Sequence, residues 1–331
     1  MRLDPVQRLD IDRLAPLWLA LHAHHQNIAP QLAPFVCDEI SWGNRRRQYM
    51  DLTSGAWFGL IARDGDNDVG YLLCARRPMV WNATFAEPVS LWELVTLVVA
   101  PDWRGQGIGS RLLSAMGEFI SREDVSARLV GVVPANRSAA ELYKAQGYVP
   151  TWLTLTRFRR PGPALGSEHP IAINALDEAG LDALEPLWLS LHHHHQVISP
   201  HLGSFVADDA SWPIIRAQLL QSVQAGLLLA AVEGDRLVGF VSAAIHGADE
   251  LLAYSDTWMT DGSVAEIKFL VVRKDMRGKG IGRSLMDAID STLSERGVCD
   301  QYVGVIAPNE DAIRFYEARG FRPAWLEMTK L

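Results

Sequence analysis

The chain has 331 residues, 48% of them apolar and 21% charged, with a formal net charge of −8. That balance is ordinary for a soluble globular protein, and the length suits two domains that each bury a core. The acidic excess disfavours duplex nucleic acid as a partner, because phosphate neutralisation needs a basic surface; it is compatible with a cationic small molecule and equally with plain solubility. In chain order, Leu14, Leu17, Trp18, Leu21 and Ile28 recur at helical spacing. A second helix is expected to open at Asp38 as N-cap and to run through Arg45 to Met50. Strands follow at 57–62 and 69–75, and the apolar run at 94–99 reads as a buried central strand. A helix at 106–120, a strand at 129–133, a helix at 138–146 ended by Gly147 and a strand at 152–158 complete this half. The second half repeats the set, with helices near 184–195, 209–222, 279–295 and 310–319. Its strands fall near 227–232, 237–244, 266–272, 301–306 and 323–330. Strands repeatedly precede helices, which predicts a mixed α/β sheet fold.

The halves are copies. Residues 14–42 recur at 184–212 without a gap, with 18 of the 29 positions identical. RGQGIG at 104–109 returns as RGKGIG at 277–282, and the segment at 136–152 returns at 309–325. Two units, 1–158 and 171–331, are expected, joined by a Pro-, Gly- and Ser-rich linker at 159–170. Cys37, Cys74 and Cys299 have no metal-ligand spacing and suit reduced thiols. The opening MRLDPVQRLD lacks an apolar signal core, and no run reaches the length of a membrane span. A soluble, cytoplasmic protein is expected.

In each half a buried strand runs into a glycine-rich turn that opens a helix. Glycines let backbone N–H groups approach a ligand, and a helix mouth favours phosphate. Arg104 and Arg277 add a cation capable of a bidentate contact. A Walker loop would end in Gly-Lys-Ser/Thr, whereas Gly109-Ser110-Arg111 and Gly282-Arg283-Ser284 stand here. A dinucleotide fold would place the turn after its first strand.

The pattern Leu/Val-x-Val-x-x-x-x-Arg-Gly-x-Gly-Ile-Gly resembles the acyl-CoA-binding motif of the GNAT N-acetyltransferase superfamily. The downstream Asn-x-x-Ala-x-x-Phe/Leu-Tyr-x-x-x-Gly-Phe/Tyr resembles its next motif. Both halves carry both, so the resemblance covers most of the chain. It implies two tandem domains, each a mixed, mostly antiparallel central sheet flanked by helices, and acetyl-CoA as cofactor. The cofactor arm would lie along Leu97, Val98 and Val99, and along Leu270, Val271 and Val272. The pyrophosphate would sit on Arg104, Gly105, Gln106, Gly107, Ile108, Gly109 and Ser110, and on Arg277, Gly278, Lys279, Gly280, Ile281, Gly282 and Arg283. Asn136 and Asn309 would contact the arm. Tyr143 and Tyr316 would lie near the departing thiol, where a phenol can supply a proton. Backbone N–H groups of Val99 and Val272 are candidates for the developing oxyanion. Glu93 and Glu266, eleven residues before each motif arginine, are candidate bases for the amine proton; the plainer reading is an exposed strand end or a salt-bridge partner.

His22, His24 and His25 repeat as His192, His194 and His195, with His193 extra. They read as core or helix-end histidines satisfied by backbone carbonyls, or as acceptor-pocket residues, with His25 and His195 binding the substrate. A metal site lacks an evident third ligand. The Trp-bearing loops at 79–87 and 249–263 differ between the halves, which suits either a difference in acceptor or surface variation without consequence. The acceptor is expected to be a small-molecule or peptide amine. The alternative is a CoA-binding regulatory or structural protein with one or both halves inactive. Oligomeric state is not legible.

Overall fold

A computed structural model describes residues 1–32, 34–77, 84, 91–123, 125, 127–158, 171–200, 205–247, 257–259 and 262–331. The expected linker, the loop around Trp81 and most of 249–263 lie outside the described residues. A short edge strand, β1 (Arg2–Pro5), and a 3-10 segment lead into α1 (Ala15–Ile28) and α2 (Asp38–Leu52). Then come β2 (Trp57–Asp64), β3 (Asn67–Arg77), β4 (Leu91–Val99), α3 (Ile108–Ile120), β5 (Ala127–Val132), α4 (Arg137–Ala145) and β6 (Val149–Arg157). The second half repeats this as β7 (Ala172–Ala175), α5 (Glu185–Ile198), α6 (Asp208–Gln224), β8 (Leu228–Glu233), β9 (Arg236–His246), β10 (Val264–Val272), α7 (Ile281–Glu295), β11 (Asp300–Ile306), α8 (Glu310–Ala318) and β12 (Arg322–Lys330). One local expectation is corrected. Cys37, not Asp38, is the N-cap of α2; Asp38 and Glu39 occupy the first turn, where carboxylates complement the helix dipole.

The strands form one twelve-stranded sheet in the order β1-β2-β3-β4-β5-β12-β6-β11-β10-β9-β8-β7. The pairs β4–β5 and β10–β11 are parallel, and the others are antiparallel. Each half gives its last strand to the other. β12 lies beside β5, β6 lies beside β11, and the two exchanged strands pair with each other. Each carries a tryptophan onto a glycine across the seam. A Cβ at Gly131 would collide with the Trp325 ring, and one at Gly304 with the Trp152 ring.

Helices cover both faces. In the first lobe α3 packs on one face with Leu72, Leu94 and Val130, while the 3-10 segment and α2 bury Leu14 and Tyr49 with Tyr71 and Val98 on the other. The second lobe repeats the layers with α7 on one face and α5 and α6 on the other.

A bulge shapes the centre of each lobe. Along β3–β4 the register slips at Val95, and along β9–β10 it slips at Lys268. A bulge bends its strand and adds twist. Just beyond it the parallel pair separates: pairing of β4 with β5 ends at Leu94↔Val130, and pairing of β10 with β11 ends at Ile267↔Val303. Each lobe therefore contains a wedge between two diverging strands, with strand backbone along its wall.

Candidate acyltransferase sites

At the mouth of the first wedge, β4 gives way to the glycine turn. Gly105 and Gly107 have φ of 74° and 77°, and Gly278 and Gly280 match them at 77° and 81°. A left-handed backbone of this kind favours glycine, and a Cβ at Gly105, Gly107 or Gly278 would meet no protein atom within 4 Å. The concave side is thus left open for a ligand. Gly107 is the N-cap of α3 and offers no side chain to the helix mouth. The first intrahelical bond runs from Arg111 N–H to the Gly107 carbonyl, so the N–H groups of Ile108, Gly109 and Ser110 point outward. Ser284 and Gly280 repeat the arrangement at α7. Arg104 Nε donates to the Val99 carbonyl at 3.1 Å, and Arg277 Nε to the Val272 carbonyl at 3.2 Å. Each motif arginine is thereby anchored at the end of the wedge-forming strand. These groups fit an anionic diphosphate with an extended arm behind it.

On the opposite lip, Asn136 caps α4 by accepting from Ala139 N–H at 3.3 Å, and Asn309 caps α8 through Ala312 at 3.2 Å. Two helical turns further, Tyr143 is buried in the cluster that holds Leu94, Val130 and Val132, the residues where β4 and β5 part. Tyr316 stands equivalently with Ile267, Val303 and Val305. Burial pushes both phenols above their ordinary range, with Tyr148 adding to the rise at Tyr143 and Arg319 opposing it at Tyr316. Both therefore stay protonated at neutral pH, the form that donates.

Glu93 lies opposite Ala75 and Leu129 in register, and Glu266 opposite Ala244 and Tyr302. Their surroundings differ. Glu266 accepts a hydrogen bond from His246 Nε2 at 3.1 Å. At the matching register position the first half has Arg77, opposite Leu91. Glu327, delivered by the exchanged β12 opposite Gly131, adds a second carboxylate near Glu93. Burial raises its pKa, Arg77 opposes that, and the charge of Glu93 raises it further. The second lobe has Thr154 of β6 at this place, opposite Gly304.

The histidines divide by role. His22 Nε2 donates to the Val36 carbonyl at 2.9 Å, and His192 Nε2 to the Val206 carbonyl at 2.8 Å, each closing the stretch between two helices. His25 and His195 are pushed down to about 3, mainly by burial and then by neighbouring histidines. Neutral rings of this kind suit hydrogen bonding better than proton abstraction near pH 7. His24 lies 3.4 Å from Arg104 and bonds to the Asn136 side chain, a contact that spacing alone did not single out. Glu327, Thr154 and His246 were also missed, because two come from exchanged strands and the third ends a strand with no motif. Among the described residues, no three His, Cys, Asp or Glu side chains are grouped to hold a metal ion.

The Acetyltransferase (GNAT) family profile matches residues 188–321, and an Acetyltransferase (GNAT) domain profile matches residues 56–150. A mycothiol acetyltransferase of Thermobispora bispora is 33% identical over 272 residues, covering 81% of each chain. The chain belongs to the GNAT acetyltransferase family. It is an acyltransferase with two tandem domains of that fold. A mycothiol acetyltransferase of Propionibacterium freudenreichii subsp. shermanii is 30% identical over 292 residues, 82% of this chain and 79% of that one. The crystal structure of a GCN5-related N-acetyltransferase from Sphaerobacter thermophilus aligns over 99% of this GNAT chain and 95% of its own, with a TM-score of 0.56 at 18% identity; it supports the fold alone. Among the described residues, no helix of the chain is long and apolar enough to cross a membrane.

Proposed function

We propose that residues 1–158 and 171–331 are two acetyltransferase units that take acetyl-CoA and move its acetyl group to the primary amine of a small molecule. The observation that carries this reading is the twofold occurrence of one constellation: a strand wedge, an anion-receptive helix mouth and a buried phenol at the base of the wedge. The relatives named mycothiol acetyltransferase favour a small-molecule acceptor over a peptide. Acetyl-CoA supplies an activated acyl carbon; the remaining work falls to side chains of this protein. Glu93 and Glu266 accept the proton of the incoming amine. Tyr143 and Tyr316, kept protonated by burial, donate toward the leaving sulfur. The backbone N–H groups of Val99 and Val272 are aimed at the oxygen on which charge develops. His25 and His195 hold the acceptor as neutral hydrogen-bonding rings.

The test is release of free CoA thiol from acetyl-CoA across a panel of small amines, run on the intact chain and on Tyr143→Phe and Tyr316→Phe. Turnover by the intact chain that falls in the variants supports the assignment. Thiol release indifferent to both substitutions removes the phenols from the chemistry, and no release with any amine removes the activity.

A further inference from the structure

One imidazole in each half lies across the mouth of the wedge. His24, on α1, stands with Nδ1 3.4 Å from Arg104 Nη1 and hydrogen-bonds the side chain of Asn136. Arg104 is tied to the last carbonyl of β4, and Asn136 caps the helix that follows β5. The ring therefore bridges the two lips between which an extended arm must enter. In the second half His194 has the matching neighbours, the Arg277 charge disfavouring its imidazolium and the Asn309 side chain favouring it as a hydrogen-bond partner. No glycine-turn motif demands a histidine here, and His194 occupies in the second copy the position that His24 occupies in the first. The neighbouring His22 and His192 are spoken for by backbone carbonyls, whereas His24 meets Arg104 at the lip of the wedge.

We propose that His24 and His194 are binding residues for the diphosphate end of the coenzyme A arm. This rests on the reading that each wedge holds coenzyme A. In the free protein His24 is held neutral by burial and by the charge of Arg104, with the Asn136 contact opposing them. The other titratable neighbour is His25. His194 is likewise lowered by burial, Arg277 and Lys274, while Asp311 and Asn309 pull the other way; its histidine neighbour is His195. A diphosphate at the helix mouth brings negative charge to both rings and favours the imidazolium. Binding then takes up protons, so affinity rises as pH falls through the window between the lowered free-protein value and the higher bound one. The presence of Asp311 only in the second half, where the first has Ser138, makes His194 the easier ring to charge.

Calorimetry on the full chain tests this, with 3′-dephospho-CoA as the probe so that no phosphate monoester titrates alongside the protein. Titrations at about pH 6, in buffers of different ionisation enthalpy, read the protons exchanged. The intact chain should take up protons. His24→Asn with His194→Asn should abolish the uptake and weaken binding by about tenfold. His24→Gln with His194→Gln keeps an amide donor at similar reach and should recover most of the affinity without the uptake, a separation that misfolding does not produce. His193→Asn removes an exposed histidine paired with Asp208 and should change neither quantity. Equal proton uptake in the intact chain and the Asn double variant overturns the inference while leaving the cofactor reading intact. Absence of binding to the intact chain overturns both.

Discussion

Beneath β4 the first half places Arg45, Tyr49, Tyr71 and Thr96; at the matching positions beneath β10 the second half places Ile215, Leu219, Phe240 and Phe269. The members of the polar set engage one another. Arg45 lies 4.0 Å over the Trp18 ring and reaches Thr96 at 3.3 Å, while the Tyr49 hydroxyl meets Thr96 at 2.6 Å and Tyr71 at 2.9 Å. The apolar set packs ring on ring, with Phe269 edge-on to Trp188 at 5.3 Å. One backbone plan thus accepts either a hydrogen-bonded network or an apolar core, provided every member of the set changes together. The seams show the reverse bias. Around β6 the second half buries an ionic web: Arg157 to Asp290 at 2.6 Å, and Arg319 to Asp287 at 2.6 Å and to Asp290 at 3.0 Å. Around β12 the first half has Lys330 donating to the Gln146 carbonyl at 2.7 Å. Polarity sits under the wedge in one half and at the strand seam in the other.

The widest way to break the symmetry is catalytic. A lost general acid costs a site about 10²- to 10⁴-fold in rate. If both halves turn over, Tyr143→Phe and Tyr316→Phe each remove their own share of thiol release and the double variant removes nearly all. If one single variant alone removes nearly all of it, the other half is silent. Next comes the seam. Asp290→Ala leaves Arg157 and Arg319 buried without their shared carboxylate and should cost about 3–5 kcal/mol in urea unfolding. Equal losses from Asp290→Ala and Lys330→Ala would erase the contrast between the seams, because Lys330→Ala should cost only about 1 kcal/mol. Under the wedge, Thr96→Val should cost about 1–3 kcal/mol by stranding the groups that meet its hydroxyl. The joint change Arg45→Ile, Tyr49→Leu, Tyr71→Phe and Thr96→Phe should lose much less than the sum of its single steps, as measured by melting. The gentlest test is pH. His25 and His195 have folded values near 3 against an ordinary 6.5, so the unfolded chain binds more protons between those limits. Stability is therefore highest above 6.5 and falls as acid is added, by about 1.4 kcal/mol per pH unit for each histidine. His25→Gln with His195→Gln should flatten that slope, and an unchanged slope would place the acid sensitivity elsewhere.

Much of this was legible in the sequence. The repeat, the glycine turns and the helix and strand periods of α3, α4, β4 and β5 follow from spacing, because buried faces impose it. The four-residue strands β1 and β7 were not found, since RLDP and AINA are too short to show alternation. The exchange of β6 and β12 was invisible for a different reason. Both strands carry the same pattern and both dock a tryptophan on a strand glycine, so either would satisfy either seat. Local sequence sets the face of a strand but not which copy of its partner it joins. Glu327 and Thr154 became visible as site residues only once that choice was known. The His24 bridge was obscured by company: in a run of similar rings, helical position separates the core-facing ones from the rest but does not say which reaches a distant asparagine.

The crossed strands also impose an order on biosynthesis. As the chain leaves the ribosome, β5 emerges with a bare edge whose proper neighbour, Arg322–Lys330, has not yet been translated. β6 arrives first and offers the same shape. A nascent first lobe thus has a strand of matching pattern at hand before its native neighbour exists, and the order β5-β12-β6 can be completed only once the far end has been made.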